Sequence, residues 1–202
     1  MIATGAAPGM LLVQMQPPPA MEDEFNAWYD AEHVPEREAV PGFESAARFV
    51  CTDGWPRYMA CYDLTSLAVL AEPAYRSIGG DNLSIWSKRV IGRAVGYERL
   101  ELGLVDGPAT TPPQGGKAMV RLASASTEHA VAAAKALART APAASVRVFA
   151  NALPHGQATI VLDAPALALI PNWTPTELAA ALGDLTTTLL GVWRYTRYTR
   201  WS

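Results

Sequence analysis

Residues 26–34 read NAWYDAEHV, so Glu32 and His33 stand side by side, each four residues after an aromatic, Trp28 or Tyr29. A carboxylate and an imidazole at that spacing could together move a proton at a bound molecule. At ~100° per residue from Phe25, Trp28 lies near about −60°, Tyr29 near about +40° and Glu32 near about −20°. His33 falls at about +80°, on the rim of the same stripe. A carboxylate facing an apolar pocket rises in pKa unless a cation partners it. A histidine in the last turn of a helix is favoured in its charged form by the helix dipole. His33 could then take or give the proton, with Glu32 or a backbone carbonyl orienting it. The same residues have structural uses: Glu32 could pair with Arg48 from the next strand, and His33 could cap the helix end or bond the loop at Pro41.

Strand alternation adds further candidates. Tyr58 and Tyr62 share one face of an extended run while Cys61 and Asp63 take the other. Trp86 sits in a helical stretch, NLSIWSKRV. With Trp28, Tyr29 and Arg48 these are the expected substrate contacts, against the alternative that such aromatics are plain core. Trp55, Trp173 and Trp193 are expected to be core. His33, His129 and His155 lack metal-ligand spacing and no cysteine cluster accompanies them, so no metal site is expected. There is no phosphate-binding glycine loop, GxSxG elbow or nucleotide fingerprint, and no cofactor is expected.

The chain that must position these groups has 202 residues, 50% hydrophobic and 17% charged, a globular composition. A net charge of −3 with scattered arginines lacks the footprint of a nucleic-acid binder. No apolar run approaches the ~18 residues of a membrane span. Met1–Gly9 lacks the basic start and apolar core of a signal peptide. A cytoplasmic protein with no nucleic-acid or membrane partner is expected. Cys51 and Cys61 read as two buried thiols, or as a pair facing each other across a hairpin.

Apolar runs and turn signals give a repeated element order. Strands are expected at Met10–Met15, Phe43–Cys51, Arg57–Leu64 and Arg93–Leu102, with helices from about Met21 to Val34 and within Leu67–Val90. The first helix is expected to end or kink at Val34, ahead of Pro35. After GLVDGPATTPPQGG, a linker by composition, the order returns. Strands are expected at Ala118–Leu122, Ser145–Ala150, Ala158–Leu162 and Val192–Trp201, with helices at Thr127–Arg139 and Pro175–Leu190. Arg93, Tyr97 and Arg99 share their spacing with Arg194, Tyr198 and Arg200; Asp63 matches Asp163 and Arg48 matches Arg147, all about 100 residues apart. The expected units are residues 1–102, carrying the site, a linker at 103–116 and a degenerate copy at 117–202. Each is a ferredoxin-like βαββαβ unit whose bare sheet face needs covering. The expected fold is therefore α+β: two tandem units packed sheet to sheet as an intramolecular pseudo-dimeric barrel, with helices outside. A further homodimer is compatible with it.

The copy supplies an internal comparison. Laying Phe25 on Ala130 puts Ala133, Ala134 and Ala138 opposite Trp28, Tyr29 and His33. Bulk that served only the shared fold would be expected in both, so the first half should hold the site.

The stretch EDEFNAWYDAEHVPEREAVPGFESAARF, followed by PRYMACYDLTS, resembles the dimeric α+β barrel superfamily and its EthD-like members. The resemblance rests on Trp28, His33, Pro35, Pro41, Gly42, Phe43 and Arg48, and covers about residues 10–100. It implies a pocket between helices and sheet for a small organic molecule. Relatives include muconolactone isomerases, polyketide cyclases, cofactor-free monooxygenases and haem-degrading enzymes. In several, a histidine near the position of His33 does acid–base work. Haem-binding relatives often place a histidine in the second helical region of the first half, which has none here.

The leading expectation is a cofactor-independent isomerase, cyclase, lyase or hydrolase acting on a small carbonyl- or lactone-containing aromatic or organic acid. His33 would move the proton, Glu32 would orient it and Arg48 would hold an anionic oxygen. The alternatives are a non-catalytic binder or sensor and, third, a haem- or oxygen-dependent monooxygenase.

Overall fold

The computed structural model describes residues 7–111, 115–123 and 126–199, less the side chains of 185–187. Eight strands, β1 (Gly9–Gln16), β2 (Phe43–Cys51), β3 (Tyr58–Leu64), β4 (Val95–Asp106), β5 (Gly116–Ala123), β6 (Ser145–Leu153), β7 (Gln157–Ala164) and β8 (Leu189–Arg197), close into one barrel. Their order is β1-β3-β2-β8-β5-β7-β6-β4, and the paired strands are antiparallel. Six α-helices accompany them: α1 (Glu22–Trp28), α2 (Val34–Glu38), α3 (Pro73–Arg76), α4 (Ile85–Ile91), α5 (Thr127–Thr140) and α6 (Pro175–Leu182). Among the described residues no helix is long and apolar enough to cross a membrane.

The apolar runs are two-sided because each strand is buried twice. In β1, Met10 and Leu12 enter the barrel core with Phe49, Cys61, Leu100 and Met119. Leu11, Val13 and Met15 point the other way, into a core shared with Phe25, Trp28 and Tyr29 of the first helix. A third core packs α5 and α6 on β5–β7 through Ala133, Ala134, Leu137 and Leu178. Full burial of each large aliphatic side chain contributes about 1.5–3 kcal/mol, so the two-sided strands drive closure. Cys51 and Cys61 are free, buried thiols, and burial pushes Cys61 up to about 12. Trp55, expected in the core, is 59% exposed; a side chain on Gly96 would collide with its ring.

The ladders correct two of the residue matches between the halves. Arg48 lies opposite Ala60 on the helix-facing side, whereas Arg147 lies opposite Val161 inside the barrel. Ala47, opposite Cys61, holds the station of Arg147 in the first half. Leu102 faces Met10 as Tyr195 faces Lys117, which sets Arg99 against Val192 rather than Arg200. Arg200 and Trp201 lie outside the described residues. Like residue types recur at alternate positions of any two-faced strand, so shared spacing does not define shared register. Asp63 and Asp163 each lie on the barrel side of their strands. Arg147 joins them, with Nη1 2.6 Å from Asp63 Oδ1 and Nη2 3.2 Å from Asp163 Oδ2. Lys117 pairs with Asp163, and the Ser45 hydroxyl donates to Asp63 at 3.0 Å. β4 runs to Asp106 and β5 starts at Gly116, so both reach into the 103–116 stretch, of which 112–114 lie outside the described residues.

Candidate functional site

The first helix does not stop at Val34. It runs from α1 through a five-residue π turn, Tyr29–His33, directly into α2. The Val34 N–H bonds the Tyr29 carbonyl across the widened turn. Proline has no N–H and its ring crowds the carbonyl four residues back, so a loosened turn lets the helix carry Pro35 onward.

The extra residue in that turn changes which side chains face inward. The buried positions are Phe25, Trp28, Tyr29, His33 and Arg37. The regular helix α5 buries Ala130, Ala133, Ala134 and Leu137. His33 thus takes the station of Leu137, not of Ala138. This reverses the wheel: His33 is 9% exposed and packs against Trp28 at 4.3 Å, with the rings tilted by 36°, and edge-on to Tyr29 at 5.3 Å. Glu32 is only half-buried and turns towards α4, where it accepts from Ser84 Oγ at 2.5 Å and Ser87 Oγ at 3.0 Å. Ser87 Oγ in turn accepts from Trp28 Nε1 at 2.9 Å. Glu32 therefore fastens α4 to the π turn. Trp28→Phe, which removes that donor from a buried network, is expected to cost about 1–3 kcal/mol in a urea melt; an unchanged midpoint would remove the network from the stability of this half.

His33 opens onto an enclosed cavity of about 100 Å³. Leu11, Val13 and Met15 of β1 form its apolar floor, and Tyr62 of β3 flanks them. Arg37 stands one turn beyond His33, and Tyr75, Tyr97 and Arg99 close the far side beside Gly79 and Gly80. Among the residues that line this cavity, two buried polar atoms have no hydrogen-bond partner, His33 Nδ1 and the Tyr62 hydroxyl, and Arg37 Nη1 has only an ion-pair contact of 3.6 Å with Glu36 Oε2. Each such atom costs about 1–3 kcal/mol when left unmade, and native proteins hold few of them. Their convergence marks a place for a polar ligand.

Burial first, then the positive charges of Arg37 and Arg48, hold the His33 imidazole well below its ordinary pKa of 6.5. The dipole argument predicted the opposite; it fails because the helix continues to Glu38 and because the group is desolvated between cations. His33 is neutral at pH 7. Burial also pushes the Tyr62 phenol well up, so it stays a hydrogen-bond donor. Arg37 is 4% exposed, donates from Nη2 to the Ile78 carbonyl at 3.2 Å, and holds Nη1 3.6 Å from Glu36 Oε2.

Of the expected site residues, His33 and Tyr62 meet at this cavity, with Trp28 and Tyr29 packed behind the imidazole. Arg48 does not reach it. Its guanidinium lies over the rings of Tyr29 at 4.2 Å and Tyr198 at 4.0 Å, and bonds Asp30 at 3.1 Å and Asn26 at 2.6 Å. Tyr58 is spent on Glu22 and Asn26, and Trp86 packs at the edge of the helix core. Arg37, Tyr75, Tyr97 and Arg99 were not anticipated. Arg37 was open to discovery, one helical turn after His33; Arg99 needed its ladder position opposite Val13. Among the described residues no cluster of three or more His, Cys, Asp or Glu could hold a metal ion.

No known family pattern matches the chain, and no curated protein sequence does. Solved structures do match over nearly its whole length. An anthrone oxidase-like protein superposes with a TM-score of 0.66, at 10% identity over 98% of this chain and 94% of that one. A protein assigned as a monooxygenase from Lactobacillus acidophilus NCFM gives 0.61, at 10% identity over 96% and 95%. A chlorite dismutase variant from Candidatus Nitrospira defluvii gives 0.60, at 10% identity over 97% and 93%. At such identity the likeness shows the fold: α+β, built on a closed eight-stranded antiparallel barrel. It also corrects the leading functional expectation. These neighbours are named for oxidase, monooxygenase and dismutase activities, not for isomerisation, cyclisation, elimination or hydrolysis.

Proposed function

We propose that this protein is an oxygen-dependent oxidase or monooxygenase acting on a small aromatic molecule with an acidic C–H or O–H, held in the His33 cavity. The observation that carries the reading is that one cavity is lined by His33 and Tyr62, whose buried Nδ1 and hydroxyl lack hydrogen-bond partners, together with the buried guanidinium of Arg37. The likeness to an anthrone oxidase-like protein and to a monooxygenase-assigned protein supports the reaction class. On the same reading, residues 1–102 and 117–202 are fused ferredoxin-like repeats joined by 103–116, EthD-like in the first half, with the site in that half alone.

Neutral His33 takes the substrate proton at Nδ1. Arg37 Nη1 holds the oxygen on which negative charge develops, and Tyr62 donates to the same oxygen. In a desolvated site such fixed donors are worth far more than in water. The resulting anion is electron-rich enough to reduce dioxygen. For an activated methylene the sum is CH2 + O2 → C=O + H2O: carbon loses four electrons, dioxygen gains four, and the proton held by His33 leaves with the water. No outside reductant is required. Glu32 acts as a positioning residue, fixing α4 against the turn that presents His33.

The residues present do not fit a haem. The cavity at His33 is about 100 Å³, on the scale of the ~150 Å³ that holds a single benzene ring and far short of a four-ring macrocycle. The matching space in the second half is packed by Ala133, Leu137, Leu178 and Leu182.

The test is oxygen uptake with product mass across anthrones, hydroquinones and related phenols. Uptake equal to carbonyl formed is expected for at least one class. Binding without uptake across the whole series would overturn the oxidative reading in favour of a binder.

A further inference from the structure

The His33 cavity does not end at its enclosed part. Tyr75, Gly79, Gly80 and Arg99 line both it and an open vestibule of about 370 Å³. The vestibule walls carry two guanidiniums, Arg76 and Arg99, against one carboxylate, Asp81. Lys88 Nζ bonds the Asp81 carbonyl at 2.8 Å and adds a third cation at that rim. Arg99 is held in place rather than loose: Nη1 donates to the Tyr75 hydroxyl at 2.8 Å, and Nε and Nη2 donate to Glu101 at 3.1 and 2.8 Å. Gly80, at a positive φ of 58°, lies on the shared wall, and a side-chain carbon there would meet no atom within 4 Å.

Two compartments thus share the wall formed by Tyr75, Gly79, Gly80 and Arg99. The inner one is narrow, with an apolar floor and room for about one ring. The outer one is wider, and its charged wall groups are Arg76, Asp81 and Arg99, the last ion-paired with Glu101. We infer that the substrate is an aromatic acid: an oxidisable phenolic or enolisable ring enters the His33 cavity, and a single carboxylate tail remains in the vestibule against Arg99 and Arg76. This rests on the reading of the His33 cavity as the site, and names the substrate class for it. Asp81 on the facing wall disfavours a second anionic group on the tail.

Recognition by the tail is measurable without turnover. The probes are 4-hydroxy-3-nitrophenylacetate and its methyl ester, which share the ring and differ by one charge, titrated by absorbance of the nitrophenol. The acid is expected to bind about tenfold more tightly than the ester, the value of one charge-assisted contact. Arg76→Met, at a residue that lines the vestibule and not the inner cavity, should bring that ratio close to one while leaving the ester's affinity as it was; Arg99→Met should lower the ratio as well, with a change in ester affinity because Arg99 also lines the inner cavity. Arg37→Met should weaken acid and ester alike. Equal binding of acid and ester by the wild type would overturn the carboxylate inference and leave the cavity reading standing, as would a ratio that survives both vestibule variants. Failure of the ester itself to bind would overturn the cavity reading and the inference together.

Discussion

Replacing Arg147 by methionine is expected to lower stability by about 3–5 kcal/mol, or roughly 6–20 °C in Tm for a chain of this size. Arg147 is 1% exposed and bridges Asp63 on β3 to Asp163 on β7, one carboxylate from each half of the barrel. Methionine fills similar volume but strands Asp63 with only the Ser45 hydroxyl, an uncompensated charge inside the barrel. Asp163 keeps Lys117 and is hurt less. The pH dependence adds a second signature. Burial alone would raise Asp163, but Lys117 and Arg147 outweigh it and hold it below its ordinary value of 3.8. Its contribution is therefore complete above the unfolded carboxylate pKa and is lost as pH falls through the lowered folded value. Without Arg147 the folded value rises, so acid unfolding should begin at higher pH. Thermal melts at pH 7 and pH 4 check both points; a variant melting with the wild type would show that the barrel does not depend on this bridge.

His33→Gln is expected to reduce kcat/KM for oxygen uptake by roughly 10²–10⁴-fold, the usual worth of a positioned general base, with the fold intact. The sign of the pH dependence follows from the buried, cation-flanked imidazole. Because its folded pKa lies well below 6.5, the base form persists through neutral pH, and the wild-type rate should fall only on the acid side. Stability follows the same direction. Below 6.5 the unfolded chain takes up a proton that the folded chain refuses, so stability is full above 6.5 and declines as pH falls towards the folded value. The glutamine variant has no such group, and its melting temperature should lose that part of the slope. Turnover equal to the wild type in a folded His33→Gln protein would remove His33 from the chemistry.

Much of the barrel was legible because its signal is local and doubled. Runs such as MLLVQM and ATIVL are apolar on both faces, and only a sheet covered on both sides accepts them. The weaker part was register. Arg48 and Arg147 look like one position repeated, yet one faces the helices and the other the barrel interior, since a shift of a single residue inverts a strand. Within the candidate site, Trp28, Tyr29, His33 and Tyr62 could be picked from helix and strand periods. Arg48, Tyr58 and Glu32 were equally plausible by type, and each is occupied elsewhere by hydrogen bonds made across elements.

By itself the sequence determined the alternation that closes the barrel and the contrast between an aromatic first helix and the alanine face of α5. Both follow from side-chain volume and period, which are written residue by residue. Only the tertiary structure decided that His33, not Glu32, enters the core. That choice hangs on one extra residue in the turn Tyr29–His33, and a wheel drawn at a fixed angle passes over it. Only the tertiary structure, likewise, brought Arg37 and Arg99 to the same cavity from a helix and a distant strand, because register across β1 and β4 is set by packing and not by spacing along the chain.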